Sequence, residues 1–192
     1  THMTISFASK ILLPLALALA SGVAGAACVP VIGSVKLQPL ASCNGLAPVG
    51  DVPFLGQCFS VQLSLLGFPV ATGYAGPTSE PIIGATGVPT VMPAVIPVSA
   101  SLPVPRQSIQ TARSAVSLGS GANRTTLYSN DVIVAQLKGG EDGQPVPVAV
   151  TEQIMITGSD GKGAYSKVTG NLTVAGNSIG MSAPLTGRLC LP

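Results

Sequence analysis

The chain contains no tryptophan, and its single histidine, His2, precedes Met3 in a short segment that looks like a cloning remnant. Without a native imidazole, the protein cannot use Ser-His-Asp or Cys-His catalysis, and it has no histidine ligand for a metal ion. The sequence also lacks a C-x-x-C pair. We therefore expect neither a metal site nor a cofactor.

Charged residues are scarce as well. Nine Lys and Arg and seven Asp and Glu make up 8% of the sequence, with a formal net charge of +2. A nucleic-acid interface needs clustered basic residues and stacking aromatic residues, and the sequence has neither. So little charge means that the surface is covered by uncharged polar residues or that it contacts a partner.

The first 26 residues have the pattern of a secretory signal peptide. Lys10 precedes the apolar run 11–20, and small residues follow up to an A-x-A site at 24–26. The run is shorter than the roughly 20 residues of a membrane span. We expect residues 27–192 to form one exported domain, periplasmic or secreted, that leaves the membrane after cleavage. A retained anchor, or a lipid on Cys28, is the alternative.

An exported chain meets an oxidising compartment, where an even number of cysteines indicates disulfides. Cys28, Cys43, Cys58 and Cys190 allow three pairings. We favour Cys43–Cys58, which closes a loop rich in glycine and proline, and Cys28–Cys190, which ties the two ends together. The second bond would suit a closed sheet whose first and last strands are neighbours.

Helical periodicity is nearly absent after the signal peptide, and β-type runs alternate with glycine and proline. Short polar turns between about eight strands predict an all-β domain, either an antiparallel sandwich or a closed barrel. The predicted strands are 31–38, 55–66, 69–76, 106–118, 125–137, 146–157, 163–175 and 180–191.

The segment 77–105 contains seven prolines, which lack the backbone N–H of a central strand. It is also too apolar for a flexible linker. We expect an extended excursion that packs across the body or over one mouth of the domain, as a lid or as a structural crossover.

The run from Ile154 to Gly176 resembles the ITGGTGxYxxAxGxLxV signature of allene oxide cyclase-like barrels, a form of which the plant dirigent proteins share. The matching positions are Gly158, Gly161, Gly163, Tyr165 and Gly170. The resemblance implies an eight-stranded antiparallel closed β-barrel with an apolar lumen. It also implies an activity that steers ligand conformation without a cofactor, and a homo-oligomer, dimer or trimer. We read the glycines as barrel corners, with Gly158 and Gly161 in a turn at positive φ.

Glu152 is the strongest candidate for a catalytic residue. Even-numbered positions of 146–157 share one strand face, so its carboxyl points where the aliphatic side chains point. A carboxylate in an apolar lumen has a raised pKa or a cationic partner. It can then stabilise a developing cation or move a proton. The alternative is a structural ion pair with Arg113 or Arg188.

Five further residues are candidates for ligand binding. Arg113 lies mid-strand and either reaches inward or faces solvent, while Glu80 borders the proline-rich segment, at the barrel mouth or in a plain turn. Two tyrosines could donate hydrogen bonds in the lumen, whereas a third tyrosine fits a wall position better. A sixth residue, Asp131, could lie at the mouth. The predicted ligand contacts are Tyr74, Glu80, Arg113, Tyr128 and Tyr165.

These observations together predict an exported barrel that binds a small hydrophobic ligand in its lumen. Its activity would be that of a cofactor-independent cyclase or isomerase, or of a dirigent-like protein. The alternative is a non-enzymatic structural or protein-interaction barrel. An open lumen behind Glu152 favours the first function, and a filled lumen favours the second.

Overall fold

The computed structural model describes residues 27–83, 89–91, 94–95, 107–140, 145–163 and 165–191. The predicted signal peptide lies outside these residues. Within them the protein is all-β, with one short 3-10 turn at Gly121–Asn123. Eight strands are long: β1 (Ala27–Pro39), β2 (Phe59–Leu65), β3 (Phe68–Thr78), β7 (Gln107–Leu118), β8 (Thr125–Gly139), β9 (Pro145–Ser159), β10 (Thr169–Ala175) and β11 (Ser182–Leu191). Three are short: β4 (Ile82–Ile83), β5 (Pro89–Val91) and β6 (Ala94–Val95).

The eight long strands close into an antiparallel barrel. Their order is β3-β2-β1-β11-β10-β9-β8-β7, and β7 pairs back onto β3. Closure satisfies the backbone groups that an open sheet would leave at its edges. The first and last strands are neighbours, from Ala27 opposite Leu191 to Lys36 opposite Ser182. The structure thus confirms an eight-stranded closed barrel.

The predicted bounds were wrong in the glycine-rich turn. We expected a strand from Gly163 to Ala175, but β10 begins only at Thr169. Gly161 and Gly163 have φ of 72° and 66°, a left-handed conformation that interrupts a strand. Gly158 was also expected in this turn, yet it lies within β9 and has no positive φ.

Both favoured disulfides are present. Cys43 and Cys58 close a loop before β2, with their Cα atoms 5.4 Å apart. Cys28 and Cys190 are paired residues of β1 and β11, so their bond joins the first and last strands. Two disulfides are compatible with an oxidising, extracellular compartment. In the described ranges, no helix is long and apolar enough to cross a membrane.

Aliphatic side chains line the barrel interior and pack together at one end, which they seal. Leu127, Ile156 and Val168 are buried together at that end, packed against Leu118 and Leu189. Val168 comes from the turn before β10, so the turn itself supplies part of the seal. The central core consists of Val35, Val61, Ala71, Val116, Leu172, Val174, Ala183 and Leu185.

The proline-rich excursion is described only in part. After β3, the strands β4 and β5 pair with each other. β6 pairs with Ser108 and Ile109 of β7, beyond the point where the pairing of β3 with β7 ends at Thr111. None of these pieces is a central strand of the barrel, as the prolines predict. Residues 84–88, 92–93 and 96–106, and with them the predicted lid, lie outside the described residues.

Candidate functional site

The lumen contains two cavities that meet at Glu152. A narrow cavity of about 90 Å³ extends toward the sealed end, and a wider one of about 350 Å³ extends the other way. Leu37, Ala75 and Glu152 line both. The wide cavity reaches the size range of small-molecule sites, roughly 300–1,000 Å³. Its walls are mainly aliphatic, so it suits an apolar ligand.

The turn after β10 helps to form the wall of the wide cavity. The backbone N–H of Leu37 donates to the carbonyl of Ser178 at 2.8 Å, and the N–H of Gly180 donates to the carbonyl of Leu37 at 2.8 Å. These bonds hold Ser178 and Ile179 against β1, where both line the cavity. The far end of the barrel is therefore partly roofed by a hydrogen-bonded turn.

Glu152 is placed by the alternation of β9. Val150, Glu152, Ile154 and Ile156 all line the lumen, as the even-numbered face predicts. The prediction fails earlier in the strand, because Val146 and Val148 are exposed by 40% and 54%. A bulge opposite Gln136 and Leu137 shifts the register there, and this reverses which residues face inward.

Among the residues that the structure describes, no cation lies beside the carboxyl of Glu152 to stabilise its charge. Burial raises its pKa from 4.5 to about 7. Neither arginine considered as its partner lies beside it: Arg113 pairs with Glu80, and Arg188 lies opposite Asn171 on the outer side of β11. Near neutral pH the group is therefore divided between its acid and its base form, as a proton-transfer group should be.

Asp131 is a second lumen acid, which we had predicted at the mouth. It lines the narrow cavity and is only 2% exposed. Burial, followed by the charge of Glu152, raises its pKa well above the usual value, while a hydrogen bond from Ser129 acts in the opposite direction. The signal was present in the sequence, since Leu127, Ser129 and Asp131 are alternate residues of one strand.

Arg113 and Glu80 form an ion pair outside the lumen. Nε and Nη2 of Arg113 each donate to a carboxylate oxygen of Glu80 at 2.6 Å, and Nη1 donates to the carbonyl of Val49 at 2.7 Å. The hydrogen bonds from Arg113 lower the pKa of Glu80. Both residues serve to attach the disulfide loop to the outer wall.

The three predicted tyrosines also lie away from the lumen. Tyr74 and Tyr128 line a polar groove on the outer wall, where Tyr74 donates to the carbonyl of Ala47 at 3.1 Å. Burial raises the pKa of Tyr74, and Tyr128 adds to the effect. Tyr165 is 37% exposed in the turn before β10. Of the residues predicted to be catalytic or to contact the ligand, only Glu152 lines the lumen cavities of the described structure; Asp131, predicted at the mouth, also lies in the lumen.

The described residues offer no group of three or more His, Cys, Asp or Glu side chains that could hold a metal ion. Comparison with known proteins adds no further guide: no family model, no curated protein and no solved structure matches the chain. The argument for function therefore depends on the lumen itself.

Proposed function

We propose that the barrel binds a small hydrophobic ligand in its lumen and that Glu152 acts on it. The observation that carries the proposal is the position of Glu152, where two aliphatic cavities meet, with its pKa raised to about 7. An apolar pocket with a few polar groups and a perturbed carboxyl is the usual form of a small-molecule site.

The proposed activity is a cofactor-independent cyclisation or isomerisation, or a dirigent-like control of ligand conformation. Walls of β-branched and leucine side chains restrict the ligand to few shapes, which favours reaction within one molecule. Glu152 would donate or accept the single proton that such a rearrangement needs. The resemblance of 154–176 to the allene oxide cyclase and dirigent signature supports the same activity.

We further propose that the protein works in the periplasm or outside the cell. The two disulfides and the signal-like segment 1–26 support this location. A ligand taken up there would come from the envelope or the surroundings and not from the cytoplasm.

An interaction barrel is the second candidate function. Ile32 on β1 and Met155 on β9 are exposed by 70% and 61%, on an outer wall with few charges. Apolar side chains of this size on an exposed wall can contact another protein or a second copy of the chain. The homo-oligomer that the resemblance implies would fit this function and does not conflict with ligand binding.

The experiment measures binding of a neutral apolar fluorophore, N-phenylnaphthylamine, to the purified protein. Ala135→Trp would fill the wide cavity, because Ala135 is 7% exposed and lines it. We expect this variant to lose about tenfold or more in affinity. Gln136→Trp is the matched control. Gln136 follows Ala135 in β8 and its side chain is exposed on the outer wall, so this variant should leave binding unchanged.

Equal affinity in the two variants would place the probe outside the lumen and contradict the proposal, as would failure of the unaltered protein to bind. If the Ala135→Trp variant does not fold, Ala112→Leu replaces it in the same test, because Ala112 lines the same cavity and leucine adds less volume than tryptophan. Once a substrate is identified, Glu152→Gln separates catalysis from binding. Unchanged turnover in Glu152→Gln would remove the carboxyl from the mechanism.

A further inference from the structure

Asp131 presents an unpaired buried oxygen to the lumen. The residue is 2% exposed and lines the narrow cavity, and its Oδ1 has no hydrogen-bond partner among the described residues. Leaving a buried polar atom without a partner lowers the stability of the fold, and it does so more for a charged group. Structures rarely keep such an atom unless something else binds it.

The serines beside Asp131 fix its orientation. Ser129 donates a hydrogen bond to the Asp131 carboxyl, and its own hydroxyl lies 2.5 Å from that of Ser114. Ser129 and Ser114 are directly paired residues of β8 and β7, and both are buried. This chain of hydroxyls satisfies part of the carboxyl and leaves Oδ1 without a partner beside the cavity that Asp131 lines.

Glu152 on β9 is the diagonal neighbour of Asp131 on β8. Asp131 lies opposite Ile154 and Glu152 lies opposite Ile133, one step along the same inward face. Diagonal neighbours on one face are within reach of a shared partner, at roughly 7–8 Å between their backbones. After burial, the charge of Glu152 is the next cause that raises the pKa of Asp131, as the diagonal placement of the two carboxyls would produce.

The surrounding side chains supply no positive charge. Val174 on β10 faces Glu152, Ala112 on β7 lies beside Asp131, and Ile133 and Ile154 complete the immediate surroundings. Among the described residues that line the two cavities, Asp131 and Glu152 are the only ionisable groups. Arg113, although nearby on β7, is on the opposite face and bound to Glu80.

A pair of buried acids without a cation carries an uncompensated negative charge when one of them ionises. Because ionising one carboxyl makes it harder to ionise the other, the pair takes up negative charge in steps, at a higher pH than two ordinary carboxyls would. Coulomb attraction is strong in a low-dielectric site, and a single cation placed between the carboxyls would neutralise the charge. It would also satisfy Oδ1 of Asp131.

Building on the lumen-binding function above, we propose that the ligand is a cationic amphiphile: a protonated amine that binds between Asp131 and Glu152, joined to an apolar body that occupies the wide cavity. An ammonium group has three N–H donors and no acceptor, which matches two carboxyls that need donors. The aliphatic walls accept the hydrocarbon part.

The test compares three probes that share one chain, decylamine, decanol and decanoate, by calorimetric titration of the intact protein below their aggregation limits. We expect decylamine to bind about tenfold or more tightly than decanol at about pH 8, and decanoate to bind most weakly. Asp131→Asn and Glu152→Gln keep the side-chain size and should reduce the affinity for decylamine but not that for decanol.

The preference for the amine should shrink at about pH 5, where Glu152, whose pKa is about 7, is protonated and the raised pKa of Asp131 favours its acid form, while the amine keeps its charge. Asp51→Asn is the matched control, since Asp51 is an exposed acid of the outer loop. Decanol or decanoate binding as tightly as decylamine would overturn the amine proposal and leave the apolar lumen in place. Absence of binding by all three probes and by N-phenylnaphthylamine would overturn both proposals.

Discussion

At the scale of single residues, the buried acids are the main departure from an ordinary barrel core. Glu152 and Asp131 lie among aliphatic side chains that would pack better without them. Burying a carboxyl lowers stability unless it stays protonated or gains a partner. A protein that keeps two such groups on one inward face accepts that cost at the place where a ligand would bind.

Glu152 should therefore make the protein less stable as the pH rises. Its folded pKa of about 7 lies above its ordinary value of 4.5, so the folded state holds the proton more tightly than the unfolded state. The free energy of unfolding should fall between these two values and level off above them. The shift corresponds to on the order of 3 kcal/mol, since each pKa unit is worth about 1.4 kcal/mol.

Urea unfolding of the unaltered protein and of Glu152→Gln, at several pH values, measures this effect. The variant should be the more stable of the two above pH 7, and its stability should vary less with pH. Some dependence will remain from Asp131, whose pKa is shifted in the same direction. Parallel curves for the two proteins would show that Glu152 is not the titrating group.

Two glycines of the signature-like segment should differ in their tolerance of alanine. A Cβ added at Gly170 would contact the backbone oxygen of Arg188 on the neighbouring strand, whereas one added at Gly158 has no atom within 4 Å. We expect Gly170→Ala to cost about 1–3 kcal/mol by overpacking. Gly158→Ala should be within about 0.5 kcal/mol of the unaltered protein. Thermal unfolding of both variants measures this difference in stability. Equal losses of stability in the two variants would contradict this account of Gly170.

At the scale of elements, the disulfide loop between β1 and β2 is attached to the outside of the barrel. The rings of Phe54 and Tyr74 meet edge to face with centroids 6.0 Å apart, and Leu55 donates its backbone N–H to the carbonyl of Pro77 at 2.8 Å. The guanidinium of Arg113 links Val49 in the loop to Glu80 beyond β3. One side chain thus joins three segments.

Removing that link should loosen the loop without emptying the lumen. Arg113→Ala loses the two bonds to Glu80 and the bond to Val49, and we expect it to cost about 1–2 kcal/mol of unfolding free energy, reduced by partial exposure of the pair. Arg124→Ala is the control, because Arg124 is exposed and its Nη2 bonds only to Ser117 among the hydrogen bonds identified. Hydrogen exchange of residues 46–58 should rise in the first variant alone. No difference between the variants would show that the pair does not hold the loop.

The sequence predicted the elements better than the surroundings of their side chains. Strand periodicity and proline positions located the eight long strands, because alternation and the missing N–H are local properties. The inward direction of Glu152 followed from the same alternation. The partner of Arg113 could not follow, since Glu80 reaches it through a pairing between β3 and β7 that no local pattern specifies.

At the scale of the whole molecule, closure decides which residues share a site. Asp131 comes close to Glu152 only because β8 and β9 pair in one particular register, and a bulge changes which residues of β9 face inward. A shift of β9 by one residue would have placed Glu152 on the outer wall, away from Asp131. The sequence predicted both disulfides. Cys28–Cys190 follows from closure itself, which makes the first and last strands neighbours, and Cys43–Cys58 closes a local loop.

The pairing of β1 with β11 also fixes the order in which the barrel can be completed. Cys28 and Cys190 are 162 residues apart, yet they lie on adjacent strands. Until the last strand exists, β1 has one edge without a partner, and the chain must search for a contact between its most distant parts. The lumen, and any ligand site within it, is therefore not complete until the first and last strands have paired.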